Sequence, residues 1–228
     1  MALGKRHPSL FENGHILDVG ANIGYTALVF SKLTSQGHNV YAFEPDPDNF
    51  ARLVRFGGQA SPSNPIECLN VAVGAQPGSI QFWHNANHHG DHRVCNAALK
   101  SQYEINPDDV CEVPLIALDN FCQERKIERR ISFIKIDVQG FELDVCRGMS
   151  KILEENPTIS VALEYMPSAF KDLGFAGSEV LDFMENRGFH PSLIKKDGRL
   201  IPTNRAGIEE QAARVGYVDI LYTKIHAA

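Results

Sequence analysis

The chain has 228 residues, with 28 acidic against 22 basic side chains and a net charge of −6 with histidine neutral. That length suits one α/β domain with a single substantial core, and the acidic balance speaks against a nucleic-acid surface, which would carry a basic stripe. Five scattered cysteines without a C-x-x-C pair argue against a disulfide framework or a structural zinc and fit a reducing cytoplasm, and no apolar run nears the roughly 20 residues of a membrane span.

Residues 1–15 form a short polar lead interrupted by Pro8, without the apolar core of a signal peptide. A single domain is expected over residues 16–228. It opens with the strand Ile16 to Val19, the turn Gly20-Ala21-Asn22-Ile23-Gly24, and a helix from Ile23 to Thr34 whose apolar Ile23, Ala27, Phe30 and Leu33 recur at helical spacing. Gly20 leaves room for close approach to the backbone, and Gly24 lets the helix sit tight against the sheet. Unpaired N–H groups at a helix start favour an anion, either a phosphate or an amino-acid carboxylate. A dinucleotide turn needs a middle glycine that this one lacks, and no Lys-Ser or Lys-Thr pair follows to make a P-loop.

The second strand, Asn39 to Phe43, ends on Glu44, about 20 residues past the turn, where a carboxylate can accept from ribose hydroxyls and repel a 2′-phosphate. After Pro45 a helix is expected from about Asp48 to Phe56, stopped by Gly57 and Gly58, and then a strand from Ile66 to Asn70. This β-α-β-α-β order implies parallel strands with right-handed crossovers.

Gly78 to Trp83 reads as a short strand and Cys111 to Leu115 as its partner. Residues 84–110 between them are expected to be a variable surface loop on the acceptor side, holding His84, His88, His89, Asp91 and His92. Leu118 to Arg125 reads as a helix, and the basic cluster Arg125, Lys126, Arg129 and Arg130 as its solvated end. The strand Ile131 to Asp137 ends on a carboxylate at the sheet edge where open α/β folds bind ligands. Gly140 then turns the chain into a helix from Phe141 to Leu153. A fifth strand, Thr158 to Leu163, also ends on an acid, Glu164. After a helix near Ser178 to Arg187, the strands Phe189 to Ile194 and Gly216 to Thr223 should pair antiparallel, with no helix-length pattern between them.

A nucleoside joined to a carboxylate, without a pyrophosphate turn, describes S-adenosylmethionine. Asp18-Val19-Gly20-Ala21-Asn22-Ile23-Gly24, Phe43-Glu44-Pro45, Asn70-Val71-Ala72 and Ile134 through Glu142, in that order, resemble the FkbM-type methyltransferases, over roughly Ile16 to Tyr222. The resemblance implies a Rossmann-like class I fold: a mostly parallel, twisted seven-stranded sheet with an antiparallel last strand and helices on both faces. It also implies S-adenosylmethionine as cofactor and S-adenosylhomocysteine as product. Asp18 would meet the methionyl ammonium, with the Gly20 and Ala21 backbone beside it and Asn22 and Gly24 completing the turn. Glu44 and Pro45 would take the ribose, and Asn70 and Val71 the adenine edge.

Asp137, at the end of the fourth strand, would face the reacting methyl group, where it could orient the acceptor, act as a base or hold a divalent cation. Gln139 stands where family members often carry Glu, and Glu142 opens the next helix. A neutral imidazole also suits proton removal, which makes His88 and His89 further catalytic candidates. His84, His88 and His92 fall at i, i+4 and i+8, but Gly90 disfavours a helix there, and no metal site is predicted. The expected partner is a small hydroxylated acceptor, a sugar or polyketide-like product, with neither nucleic acid nor membrane. The 84–110 loop, helped by the second subunit of a homodimer, would cover it. A nicotinamide-dependent oxidoreductase and a non-catalytic nucleoside-binding module are the competing readings.

Overall fold

The computed structural model describes residues 2–85 and 92–224. Its strands in chain order are β1 (His15–Val19), β2 (Val40–Phe43), β3 (Ile66–Leu69), β4 (Ala72–Val73), β5 (Gly78–Trp83), β6 (Arg93–Val94), β7 (Val110–Ile116), β8 (Ile131–Ile136), β9 (Ser160–Tyr165), β10 (Phe189–Ile194), β11 (Leu200–Pro202) and β12 (Val218–Lys224). The helices are α1 (Ala2–Arg6), α2 (Tyr25–Leu33), α3 (Pro47–Gly57), α4 (Ala97–Gln102), α5 (Leu118–Arg125), α6 (Glu142–Arg147), α7 (Ser150–Glu155), α8 (Pro167–Asp172), α9 (Ser178–Glu185) and α10 (Arg205–Val215).

Eight strands make the main sheet, in the order β11-β10-β12-β9-β8-β1-β2-β3. From β3 to β9 every neighbour is parallel, as the alternating strands and helices require. β12 then enters antiparallel between β9 and β10. The expected seven strands therefore become eight, because β11 adds to the outer edge of β10. Three residues ending in a proline carry no periodic signal, and an edge is where a sheet tolerates Pro.

α10, also unexpected, occupies the span between β11 and β12. Asn204 caps it by accepting from the Gly207 amide, and only Ile208 and Ala212 are buried, so its apolar stripe is too narrow to read in sequence. A second, four-stranded sheet runs β4-β7-β5-β6. β5 and β7 pair as expected, in antiparallel register, while β6 and α4 give regular structure to an interval read as loop.

Period-two alternation sends the two faces of the main sheet into different cores. Leu17, Val19, Phe43, Ile134, Ile136 and Leu163 face α5, α6, α7 and α9. Ile16, Val40, Ala42 and Phe133 face α2 and α3, where the Phe133 ring lies 4.5 Å from that of Phe11 and 5.5 Å from that of Phe30. The lead segment thus joins the core through Leu3 and Phe11, each such side chain contributing on the order of 2 kcal/mol by leaving water. The single helix expected from Phe141 to Leu153 is broken between α6 and α7. Gly148 lies there because a Cβ would sit 2.1 Å from the Gly74 carbonyl oxygen. No helix among the described residues is long and apolar enough to cross a membrane.

Candidate active site

The carboxyl ends of β1, β2, β8 and β9 converge. Gly20 has φ +75, and a Cβ there would stand 1.9 Å from the Asp137 carbonyl oxygen, so the glycine is demanded by the neighbouring strand end rather than by a ligand. Gly24, at φ +92, packs on Leu53 of α3 instead of on the sheet. Between them Asn22, also left-handed at φ 51, donates its backbone N–H to Glu44 Oε2 at 2.7 Å, and the Ala21 amide donates to the Phe43 carbonyl at 3.0 Å. The turn is therefore a splice between β1 and β2.

Behind it lies an ion cluster. Asp18, wholly buried, accepts from Thr26 Oγ1 at 2.7 Å. The Lys135 ammonium donates to the Gly20 carbonyl at 3.0 Å and sits 3.5 Å from Asp18 Oδ1 and 3.3 Å from Asp137 Oδ2. The cation expected at Asp18 is thus supplied by the chain itself. Burial alone would lower the Lys135 pKa, but the charges of Asp137 and Asp18 outweigh it and hold the ammonium above its ordinary value. Burial likewise raises Asp18, against the pull of Lys135.

The β8 turn is built from side chains as well as backbone. Gln139, at φ 54, donates through Nε2 to Glu164 Oε2 at 3.0 Å and to Asp137 Oδ1 at 3.3 Å, bridging two carboxylates where a third would repel both. Glu142 Oε1 accepts from the Val138 amide at 3.2 Å, and its Oε2 from the Gly140 amide at 3.0 Å. It is a turn-closing group, and burial pushes it up to about 7. Burial, and next the Asp137 charge, push Glu164 up to about 8.

In front of these groups is a cavity of about 270 Å³. Gly20, Asn22, Glu44 and Pro45 line one side, Val71, Val73, Phe82 and Val94 form an apolar wall, and Asp137, Gln139 and Glu164 close the far end. The Glu44 oxygens accept one backbone N–H each, from Asp46 and Asn22, and burial pushes the carboxyl up to about 7. Asp18, Ala21, Gly24 and Asn70 do not line this cavity. Asn70 Nδ2 instead donates to the carbonyls of Glu44 at 2.8 Å and Pro45 at 3.0 Å, so the amide expected at the adenine edge is spent on the β2 turn and Val71 supplies that wall.

His88 and His89 lie outside the described residues. His84 Nδ1 lies 2.5 Å from Asp46 Oδ2, a partner 38 positions earlier, and the His84 and His92 rings stack at 4.4 Å. One ligand-type atom from each of these three residues lies within 4.8 Å of the others. The chemistry of the donors favours a hydrogen-bonded clasp over a metal cage. The Asn85 amide donates to His92 Nδ1, which places the ring proton of a neutral His92 on Nε2, and Asp46 Oδ1 is engaged in capping α3. The cue available in sequence is Asp46-Pro47-Asp48, an N-cap followed by Pro at the first helical position. With His92 and Val94 on the cavity wall, the described end of the 84–110 interval borders the cavity beside Phe82.

The domain described as "Methyltransferase FkbM domain" matches residues 18–191. The hexuronic acid methyltransferase AglP of Haloferax volcanii is 32% identical over 146 residues, covering 63% of this chain and 53% of that protein. The AMB antimetabolite synthetase AmbE of Pseudomonas aeruginosa is 25% identical over 236 residues, 92% of this chain and 11% of that protein. The chain thus spans about half the length of the first of these curated relatives and about a tenth of the second. Among solved structures, the precorrin-6y C5,15-methyltransferase of Geobacter metallireducens superposes with a TM-score of 0.48 at 10% identity, over 98% of this chain and 86% of that one. The magnesium protoporphyrin IX methyltransferase of Synechocystis, solved with bound S-adenosylmethionine, gives 0.46 at 8% identity, over 98% and 78%. The β1 turn, the acid ending β2 and the carboxylate turn after β8 all fall inside the matched span, and the chain belongs to the FkbM methyltransferase family.

Proposed function

We propose that this chain methylates a hydroxyl oxygen of a sugar-like small molecule, with S-adenosylmethionine as donor. The observation that carries the proposal is the polarity of this cavity: a backbone-oriented carboxylate at Glu44, an apolar slot at Val71 and Phe82, and the acids Asp137 and Glu164 beyond them. Each Glu44 oxygen keeps acceptor capacity for a ribose hydroxyl, and among the described residues no lysine or arginine lines the cavity to neutralise a pyrophosphate. The name of the archaeal relative, a hexuronic acid methyltransferase, supports a sugar acceptor. Free, scattered cysteines support a reducing compartment.

S-adenosylmethionine, when bound, supplies the methyl group, its carbon–sulfur bond breaking as the new oxygen–carbon bond forms, and leaves as S-adenosylhomocysteine. The residues do the rest. Asp137 takes the proton of the acceptor hydroxyl, and Lys135, 3.3 Å from its Oδ2, and Gln139, which donates to its Oδ1, hold its orientation. Titration of the purified protein with S-adenosylhomocysteine and with NADH, followed by fluorescence of the single tryptophan Trp83, tests the reading. Saturable binding of the first and none of the second is expected. Binding of NADH alone would overturn it, and tight S-adenosylhomocysteine binding without turnover on any hydroxylated acceptor would favour a binding module.

A further inference from the structure

Phe82 and Val94, paired across β5 and β6, bring the second sheet to the wall of the cavity. Directly after β5, His84 ties that sheet to the main one. Its backbone amide donates to the Asp109 carbonyl at 2.8 Å, just before β7, and its Nδ1 lies 2.5 Å from Asp46 Oδ2. The Asp46 carboxyl is held below its ordinary pKa: burial raises it, but the His84 bond and the Asn49 amide outweigh that cost. An ionised carboxylate only accepts, so Nδ1 carries the proton and His84 is the donor. The His84 side chain is 30% exposed and that of Asp46 wholly buried, so an accessible imidazole completes the contacts of a buried charge.

Asp46 works in two directions. Its side chain faces away from the cavity: Oδ1 accepts from the Asp48 amide at 3.1 Å and the Asn49 amide at 2.9 Å, and Oδ2 takes His84. Its backbone amide serves the cavity, donating to Glu44 Oε1 at 2.9 Å. The other grip on Glu44, the Asn22 amide on Oε2 at 2.7 Å, belongs to the β1 turn, which Gly20 fits against β8. The peptide between Pro45 and Asp46 is held at its carbonyl by Asn70 at 3.0 Å, while its N–H end is set by the Asp46 side chain. A carboxylate bound at one oxygen can pivot about it; bound at both, it cannot. Removing the His84 donor also leaves a buried, charged oxygen unmet, which drives the side chain to turn in search of another partner.

We propose that His84 is a positioning residue for the ribose end of the cofactor site: by holding Asp46 Oδ2 it fixes the amide that aims Glu44, and so sets how strongly the site recognises ribose hydroxyls. His84 does not line the cavity, so it acts through Asp46 and Glu44. The inference rests on the methyltransferase reading, which gives Glu44 the ribose. A clasp that served stability alone would leave the recognition of individual hydroxyls untouched.

Two substitutions separate the bond from the ring, which stacks on His92 at 4.4 Å. His84→Asn keeps an N–H donor near the place of Nδ1 and loses the ring; His84→Phe keeps a ring against His92 and loses the donor. The probes are S-adenosylhomocysteine and its 2′,3′-dideoxy analogue, which differ only in the ribose hydroxyls, and calorimetric titration reads the affinity of each. The full chain is expected to bind S-adenosylhomocysteine about tenfold or more tightly than the analogue, the size of a charge-assisted hydrogen bond. His84→Phe should cut that ratio to about twofold or less by weakening S-adenosylhomocysteine, while affinity for the analogue stays within about twofold, as for a site otherwise intact. His84→Asn should keep most of the ratio. Binding of the analogue by each variant also establishes that it folds. A ratio unchanged in His84→Phe, an equal loss for both ligands, or a ratio lost in His84→Asn would each overturn the assignment. If the unaltered chain binds both ligands equally, Glu44 does not hold the ribose and the inference falls with it; if it binds neither, the methyltransferase reading itself falls.

Discussion

The ends of β1 and β8 are near copies with different duties. Each strand has an aspartate at its end, Asp18 or Asp137, and enters a turn with left-handed residues, Gly20, Asn22 and Gly24 in one, Gln139 and Gly140 in the other. The two turns touch where the Asp137 carbonyl presses on Gly20, and one ammonium, that of Lys135, lies against both carboxylates. Exposure separates them. The Asp18 side chain is 0% accessible and that of Asp137 36%. A carboxylate sealed from water can only hold its partner, whereas one on a cavity wall can exchange a proton with a ligand, so the same residue type near the end of a strand is a support in one case and is free to meet a ligand in the other.

The strongest way to break this contrast is Lys135→Met, which leaves Asp18 charged, buried and without its cation. Removing one partner of a buried pair costs about 3–5 kcal/mol, and urea unfolding should show it. Adding Asp18→Asn should recover much of the loss, and if it does not, the pair is not the source.

Next in size is a pH effect at the β8 turn. Glu142 has its folded pKa pushed up to about 7, above the ordinary carboxylate value near 4.5, so the folded state binds the extra proton. Its contribution to stability is full below about 4.5, is lost as pH rises to about 7 and is flat beyond, amounting to about 3 kcal/mol. The difference in unfolding free energy between the unaltered chain and Glu142→Gln should shrink across that window. A difference that does not change with pH would refute the assignment.

Asp137→Asn should lower kcat about a hundredfold, the low end for a lost general base, while costing no more than about 1 kcal/mol of stability because its side chain is partly in water. Equal damage to stability would erase the distinction from Asp18. The smallest effect is expected from Gln139→Glu. A third carboxylate beside Asp137 and Glu164 should cost about 1 kcal/mol, more at pH 8 than at pH 6, since repulsion grows as the groups ionise. A gain in stability with rising pH would show that Gln139 does not bridge the two acids.

Most of what was legible in the sequence was local. The run Ile131 to Ile136 reads as a strand because it is buried on both faces of a parallel sheet, and Glu44 reads as a ligand group because a strand ends on it at a set distance from a glycine turn. Asn70 is ambiguous in the sequence for the opposite reason. Its amide could serve a ligand or the backbone, and the choice depends on where the Glu44 and Pro45 carbonyls lie in space. His84 was grouped with histidines close in sequence, while its partner, Asp46, caps a helix of the other sheet.

The order of apolar runs, glycines and terminal acids by itself determined a mostly parallel α/β sheet with a cavity at the ends of β1 and β2, since alternation, turn conformation and helix starts act over a few residues. Only the tertiary structure decided that Lys135 ties Asp18 to Asp137, that β12 slides between β9 and β10, and that Gln139 bridges Asp137 and Glu164. Those outcomes depend on charge and packing between segments distant in the chain, and such energies are set by distance and burial, which no local pattern records.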